Sequence, residues 1–189
     1  GPMGFISQSG THANFFSEIG AVNGIKISKS VSLGNAIILD ASDYLEYLGQ
    51  DEDTKLIGMY VEGVKDGRRF FQVLRDVCTR KPVIIWKGGQ TSQGSRAVAS
   101  HTASLAGSME IWDAMIRQCG AIRVNSVDEL VDTAKALIHI KPTTKKRMGL
   151  VAMTGGQSVV VSDTFAKGGL DIPTLTEKSY KQFEEFFSV

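Results

Sequence analysis

The chain has 189 residues, with 21 Lys and Arg against 20 Asp and Glu for a formal net charge of +1; 42% of its residues are hydrophobic and 22% charged. That balance leaves no basic footprint for nucleic acid or a membrane surface, it is too apolar for disorder, and no apolar run approaches the length of a membrane span. Cys78 and Cys119 are the only two cysteines; lacking metal-ligand spacing, they indicate neither a disulfide framework nor a zinc site and suit a reducing cytoplasm. The opening Gly1-Pro2-Met3 reads as a cleavage scar rather than a signal peptide and is set aside from the fold expectation. These features lead us to expect a cytosolic globular piece cut from something longer.

Short apolar runs alternate with helical patterns, which predicts a parallel α/β sheet. Gly4-Phe5-Ile6-Ser7 is a short strand; Gln8-Ser9-Gly10 leads straight into a helix through about Val22. Lys26 to Leu33 alternates as a second strand, and Asp40 to Gln50 is a helix with Tyr44, Leu45, Tyr47 and Leu48 at apolar spacing. Leu56 to Val61 is a buried strand, followed by a helix over Asp66 to Thr79. Pro82 to Trp86 is the clearest strand, the unbroken apolar run expected of a parallel strand covered on both faces. Lys87 to Gly107, rich in Gly, Ser, Ala and Thr, reads as a long and therefore functional loop. A helix over Ser108 to Cys119, a strand at Ala121 to Val124 and a helix from Ser126 to about His139 complete a flavodoxin-like, doubly wound sheet over residues 4–141. Residues 142–146 form a polar linker. Residues 147–189 repeat the opening design: strands at Met148 to Met153 and Asp171 to Leu175, helices at Gln157 to Lys167 and Glu177 to Phe187. Two strands make no satisfactory sheet alone, so this reads as the first part of a second, similar domain.

Three segments can carry chemistry. Ser7-Gln8-Ser9-Gly10 ends a strand in small polar residues and exposes the first N–H groups of a helix, a ready anion site to which Ser7 and Ser9 add hydroxyls; a plain N-cap and turn fits equally. It lacks the Walker lysine and the three-glycine fingerprint. Thr154-Gly155-Gly156 opens the second unit with the same physics, and two such loops facing each other would hold one phosphoryl group from both sides. His101 sits amid the small residues of Ala99 to Gly107, where an imidazole can act as base, nucleophile or, least readily, metal ligand, since no second ligand lies at suitable spacing. Glu62 follows a buried strand, where it either orients an imidazole or simply faces solvent. His12, on the first helix, and His139 read as structural or surface residues.

Together these motifs resemble the NDP-forming acyl-CoA synthetases, the superfamily of ADP-forming acetyl-CoA synthetase and succinyl-CoA synthetase. The resemblance is carried by Ser7-Gln8-Ser9-Gly10, Val31-Ser32-Leu33-Gly34-Asn35 and Asp43-Tyr44-Leu45-Glu46-Tyr47-Leu48, and further by Val61-Glu62-Gly63-Val64-Lys65-Asp66-Gly67-Arg68-Arg69-Phe70 and Ser100-His101-Thr102-Ala103-Ser104-Leu105-Ala106-Gly107. It runs from about Gly4 to the C-terminus. It implies a relay in which an acyl phosphate gives its phosphoryl group to a histidine, matched by His101, and the phosphohistidine passes it to ADP or GDP. Glu62 matches the carboxylate that orients that histidine, Ser7, Ser9 and Gly10 match one phosphate-cradling helix N-terminus, and Thr154, Gly155 and Gly156 lie where the opposing one begins. Ala103 and the pair Gln157-Ser158 depart from the family pattern. The resemblance further implies that CoA, ATP or ADP and magnesium serve the complete enzyme but are not bound by this piece alone. A CoA-binding Rossmann domain and an ATP-grasp domain or subunit are the implied partners, a carboxylic acid or its acyl phosphate the substrate, and an oligomer the assembly. The competing function is an acyl-CoA-sensing regulatory module fused to an enzyme such as a protein acyltransferase; a flavin-binding flavodoxin-like domain comes third.

Overall fold

A computed structural model describes residues 1–102, 108–141 and 143–186, with the backbone alone at 100–102. The chain divides into two compact units, Gly1–Lys141 and Pro142–Val189.

The first unit holds strands β1 (Met3–Ser7), β2 (Ile27–Ser32), β3 (Leu56–Val61), β4 (Val83–Lys87) and β5 (Ile122–Val124). They form one sheet in the order β2-β1-β3-β4-β5, and every pairing is parallel. This is the flavodoxin-like order, which reverses beside β1 and gathers the loops that follow β1 and β3 at the carboxyl edge. The helices are α1 (Gly10–Val22), α2 (Ala41–Gln50), α3 (Gly67–Cys78), α4 (Ser92–Thr102), α5 (Met109–Cys119) and α6 (Val127–His139).

Side chains that alternate along each strand feed two separate cores. Met3, Phe5, Leu56 and Tyr60 pack with Phe16 of α1 and with Leu130, Val131 and Ala134 of α6, and the Phe5 and Phe16 rings stack at 4.1 Å. Ile6, Ile57, Met59 and Val61 pack on the other face with Leu45 and Leu48 of α2, Phe70 and Leu74 of α3, and Trp112 and Ile116 of α5. Gly58 lies on the face of Met3 and Phe5, where an added Cβ would stand 2.5 Å from Met3 Cε and 3.0 Å from Phe5 Cδ2, so a side chain there would force Met3 and Phe5 to shift. Helix starts follow the sequence chemistry: Asp40 and Asp43 form a reciprocal capping box on α2, while Asp66, Ser108 and Ser126 cap α3, α5 and α6.

The structure corrects three expectations. Met3 is fully buried within β1, and the Pro2 carbonyl accepts from the amides of Lys55 and Leu56, so the opening residues belong to the sheet. The long loop is interrupted by α4, whose Ser, Gln and Ala residues carry little apolar periodicity; Val98, 8% exposed, is its apolar anchor. The tail of that predicted loop, residues 103–107, lies outside the described residues. Finally, residues 148–153 and 171–175 form no strand: an isolated bridge pairs Arg147 with Asp171. The second unit contains α7 (Gly155–Lys167) and α8 (Glu177–Phe183), and neither helix buries a residue. Its apolar side chains, including Val151, Met153, Val159 and Val160, stay exposed, because a lone bridge gives them no sheet to cover.

Candidate active site

The β1–α1 turn comes first. Ser7 is fully buried and closes a small turn: its hydroxyl donates to the Ser9 carbonyl at 2.7 Å and accepts from the Ser9 amide at 3.1 Å. That hydroxyl proton is therefore committed to the backbone, and Ser7 shapes the turn rather than offering a free donor. Ser9 is the N-cap of α1, its Oγ accepting from the His12 amide at 3.3 Å, so its own hydroxyl proton is left to donate outward. Helix geometry also leaves the first-turn amides of Gly10 and Thr11 without intrahelical acceptors. A Cβ on Gly10 would meet Ser32 Oγ at 3.6 Å, ordinary contact, so packing does not demand a glycine there; its effect is to leave the backbone bare at an exposed helix start.

Glu62 follows β3 and is 8% exposed. Its polar groups are held one by one. The Glu62 amide donates to Gln8 Oε1, its carbonyl accepts from Lys87 Nζ at 2.7 Å, and its Oε1 accepts from the Tyr60 hydroxyl at 3.1 Å. Oε2 is buried and has no hydrogen-bond partner among the described residues. A carboxylate oxygen withheld from water without a donor is costly, so Oε2 is an acceptor suited to a donor from outside the described residues.

The supports around Glu62 are themselves buried. Lys87, 4% exposed, sits at the end of β4 and donates also to the Gly88 carbonyl at 2.5 Å, with its ammonium 5.6 Å from the centroid of the Trp112 ring. Burial lowers its pKa, and the nearby Glu62 charge opposes that shift. Burial, reinforced by the Glu62 charge, pushes the Tyr60 phenol far above its usual value. The phenol therefore stays a hydrogen-bond donor to the carboxylate throughout the neutral range. The Tyr60 ring meets His12 at 4.3 Å and Trp86 at 4.8 Å between centroids, which fixes its direction and gives His12 a packing role. A cavity of about 530 Å³ is lined by Glu62 and Lys87 together with Phe71 of α3 and Ile111, Trp112 and Met115 of α5.

His101 falls in the last turn of α4, and its side chain lies outside the described residues. Thr154 caps α7, its Oγ1 accepting from the Gln157 amide at 3.3 Å, and neither Gly155 nor Gly156 has a neighbour within 4 Å of a hypothetical Cβ. Gly155 and Gly156 are the first residues of α7 rather than a turn before it. The structure thus brings Ser7, Ser9, Gly10 and Glu62 to one edge of the first unit, while Thr154, Gly155 and Gly156 form a helix start within the second. Among the described residues no group of His, Cys, Asp or Glu side chains is arranged to hold a metal ion, and no helix is long and apolar enough to cross a membrane.

Sequence reasoning missed Tyr60, Lys87 and Gln8. Two of them left a signal. Tyr60 shares a strand face with residue 62 by the two-residue period, and Lys87 extends an apolar buried run with a charge. Gln8 left none, because its role depends on a loop 54 residues away.

Residues 1–137 match the family model of the succinyl-CoA ligase-like flavodoxin domain. Over 186 residues the chain is 40% identical to acetate–CoA ligase [ADP-forming] I of Archaeoglobus fulgidus, covering 98% of this chain and 27% of that protein. It is 39% identical to the α subunit of acetate–CoA ligase [ADP-forming] II of Pyrococcus furiosus, covering 98% of this chain and 40% of that subunit. The dinucleotide-forming acetyl-coenzyme A synthetase 1 of Candidatus Korarchaeum cryptofilum, solved with phosphate and ADP, superposes on the whole chain with a TM-score of 0.88 at 35% identity; the match covers 41% of its own chain. The chain therefore spans between about a quarter and two fifths of these relatives.

Proposed function

Because the chain belongs to the succinyl-CoA ligase-like flavodoxin domain family and is homologous to part of the ADP-forming acetyl-CoA synthetases, we propose that it supplies the phosphohistidine step of an ADP-forming acid–thiol ligase. Residues 4–141 are the domain that carries the histidine, 142–146 its linker, and 147–189 the start of a second ligase-like domain. The neutral imidazole of His101 attacks the phosphorus of an acyl phosphate. A P–N bond forms, the P–O bond to the acyl oxygen breaks, and the carboxylate leaves. The other ring nitrogen keeps its proton and donates it to Glu62, whose negative charge stabilises the imidazolium that phosphorylation creates. The N-terminus of α1, with Ser9 and the amides of Gly10 and Thr11, holds the phosphoryl oxygens, and the start of α7 at Thr154, Gly155 and Gly156 is a second phosphate-binding helix start. Phosphohistidine then passes the group to ADP, restoring the imidazole. CoA and the nucleotide bind on a CoA-binding domain and an ATP-grasp domain or subunit beyond these residues. The ion that accompanies the nucleotide finds no ligand set among the described residues.

The observation that carries this reading is Glu62 Oε2: a buried acceptor, unpartnered among the described residues, on a glutamate bound directly to the turn that opens the anion-ready helix. The ligase names of the relatives support catalysis over a regulatory module. The test exposes the chain to phosphoramidate or acetyl phosphate and follows intact mass beside His101→Asn. The expected result is a single, acid-labile phosphoryl group on the wild type and none on the variant. Equal labelling of both would overturn the assignment of His101.

A further inference from the structure

We infer that Gln8 is the positioning residue for Glu62, locking the carboxylate to the phosphate-binding turn; this rests on the phosphohistidine reading above. The side chain of Gln8 grips the backbone after β3 at both ends. Its Oε1 accepts from the amides of Glu62 and Gly63, the second at 3.0 Å, and its Nε2 donates to the Gly63 carbonyl at 2.8 Å. Its own amide donates to the Tyr60 carbonyl at 3.1 Å, so both the backbone and the side chain of one residue bind the β3 strand end. Gln8 is half-buried and lies between Ser7, which shapes the turn, and Ser9, which caps α1. A single amide thus joins the helix start proposed to hold the phosphoryl group to the glutamate proposed to hold the imidazole.

The geometry assigns distinct work to each support. Lys87 fixes the Glu62 carbonyl and Tyr60 fixes Oε1, but neither reaches back to the β1–α1 turn. Gln8 alone among the three connects the two loops, and so it sets the distance between Oε2 and the α1 N-terminus. In-line phosphoryl transfer is sensitive to such distances: a misplacement of about 1 Å lowers rates on the order of 100-fold. Gln8 touches neither proposed reacting group, and its effect must pass through Glu62.

That dependence makes the test a double-mutant cycle. Gln8→Ala, Glu62→Ala and the pair are compared with wild type for the single-turnover rate of His101 phosphorylation by phosphoramidate, in which the imidazole displaces ammonia at phosphorus. Amide hydrogen exchange at Glu62 and Gly63 is read on the same samples. Gln8→Met, which keeps the chain length without polar atoms, replaces Gln8→Ala if that variant does not fold. The expected result is a rate lowered about 10- to 100-fold by the Gln8 change alone, little further loss when Glu62 is already gone, and faster exchange at Glu62 and Gly63 than at the core of β1. A Gln8 effect that persists in full without Glu62 would show that it acts on the phosphoryl group directly, and an unchanged rate would show that the clamp does not matter; either overturns the inference. Failure of the wild-type chain to label would instead defeat the phosphohistidine reading, and the outcomes are thus distinct.

Discussion

The starts of α1 and α7 are written in the same local chemistry and live in different surroundings. Each has a hydroxyl N-cap, Ser9 or Thr154, accepting from the amide three residues on, and each opens on glycine. Before α1 runs β1, buried along its whole length between β2 and β3; before α7 runs an apolar segment that pairs at one bridge and leaves Val151 and Met153 exposed. α1 buries Phe16 against Phe5, whereas α7 buries nothing. Capping is decided within four residues, and a strand is decided by its neighbours. A helix start can therefore be complete where the strand before it has not formed.

The contrast can be broken most readily in the core. Phe70→Ala is expected to lower the stability of the first unit by about 3–5 kcal/mol, because the ring is fully buried and stacks on Trp112, whereas Val160→Ala on exposed α7 should change it by less than about 0.5 kcal/mol. Urea unfolding followed by the fluorescence of Trp86 and Trp112 checks both; a comparable loss from Val160→Ala would mean that the second unit shares the cooperative core.

A finer comparison uses the caps. Ser9→Ala should cost about 1 kcal/mol in that same transition, while Thr154→Ala should speed amide exchange within α7 by a similar free energy and leave the tryptophan transition in place. If both caps moved the tryptophan transition equally, the two helices would belong to one folding unit.

A last effect, negligible at neutral pH, appears in alkali. Burial pushes the Cys78 thiol up from 9.0 to about 12. Its folded value lies above its unfolded one, so the folded state holds a proton that the unfolded state releases. The stability from Cys78 is complete below the unfolded value and falls as pH rises from 9.0 toward about 12. The urea midpoint of the tryptophan transition should decline over that window, with the decline smaller in Cys78→Ala. At pH 8, alkylation of Cys78 should be markedly slower in the folded chain than in urea.

Much of the fold was legible because its signals are local or periodic. The apolar run at Pro82 to Trp86 announced β4, and Asp40, Asp66, Ser108 and Ser126 announced four helix starts. α4 was missed because Ser, Gln and Ala at weak apolar spacing resemble a loop, and its single anchor, Val98, is no pattern. The strands expected after residue 147 were read from a local apolar pattern, and among the described residues of the second unit one bridge, Arg147 with Asp171, is all the pairing they find. At the candidate site, Glu62 was legible from its place at a strand end. Its environment was not: Gln8 and Lys87 reach it from 54 and 25 residues away, and the hydroxyl of Ser7, expected to face a ligand, is used in closing its own turn.

The account turns on Glu62 Oε2, unpartnered among the described residues, and the most direct measurement is the single-turnover rate of His101 phosphorylation in Glu62→Gln at saturating phosphoramidate. Glutamine keeps the size and the Tyr60 contact but removes the charge that steadies a phosphorylated imidazolium. The predicted result is a loss of about 100-fold or more with folding unchanged. Labelling of Glu62→Gln at the wild-type rate would contradict the account, because the buried carboxylate would then have no part in the transfer.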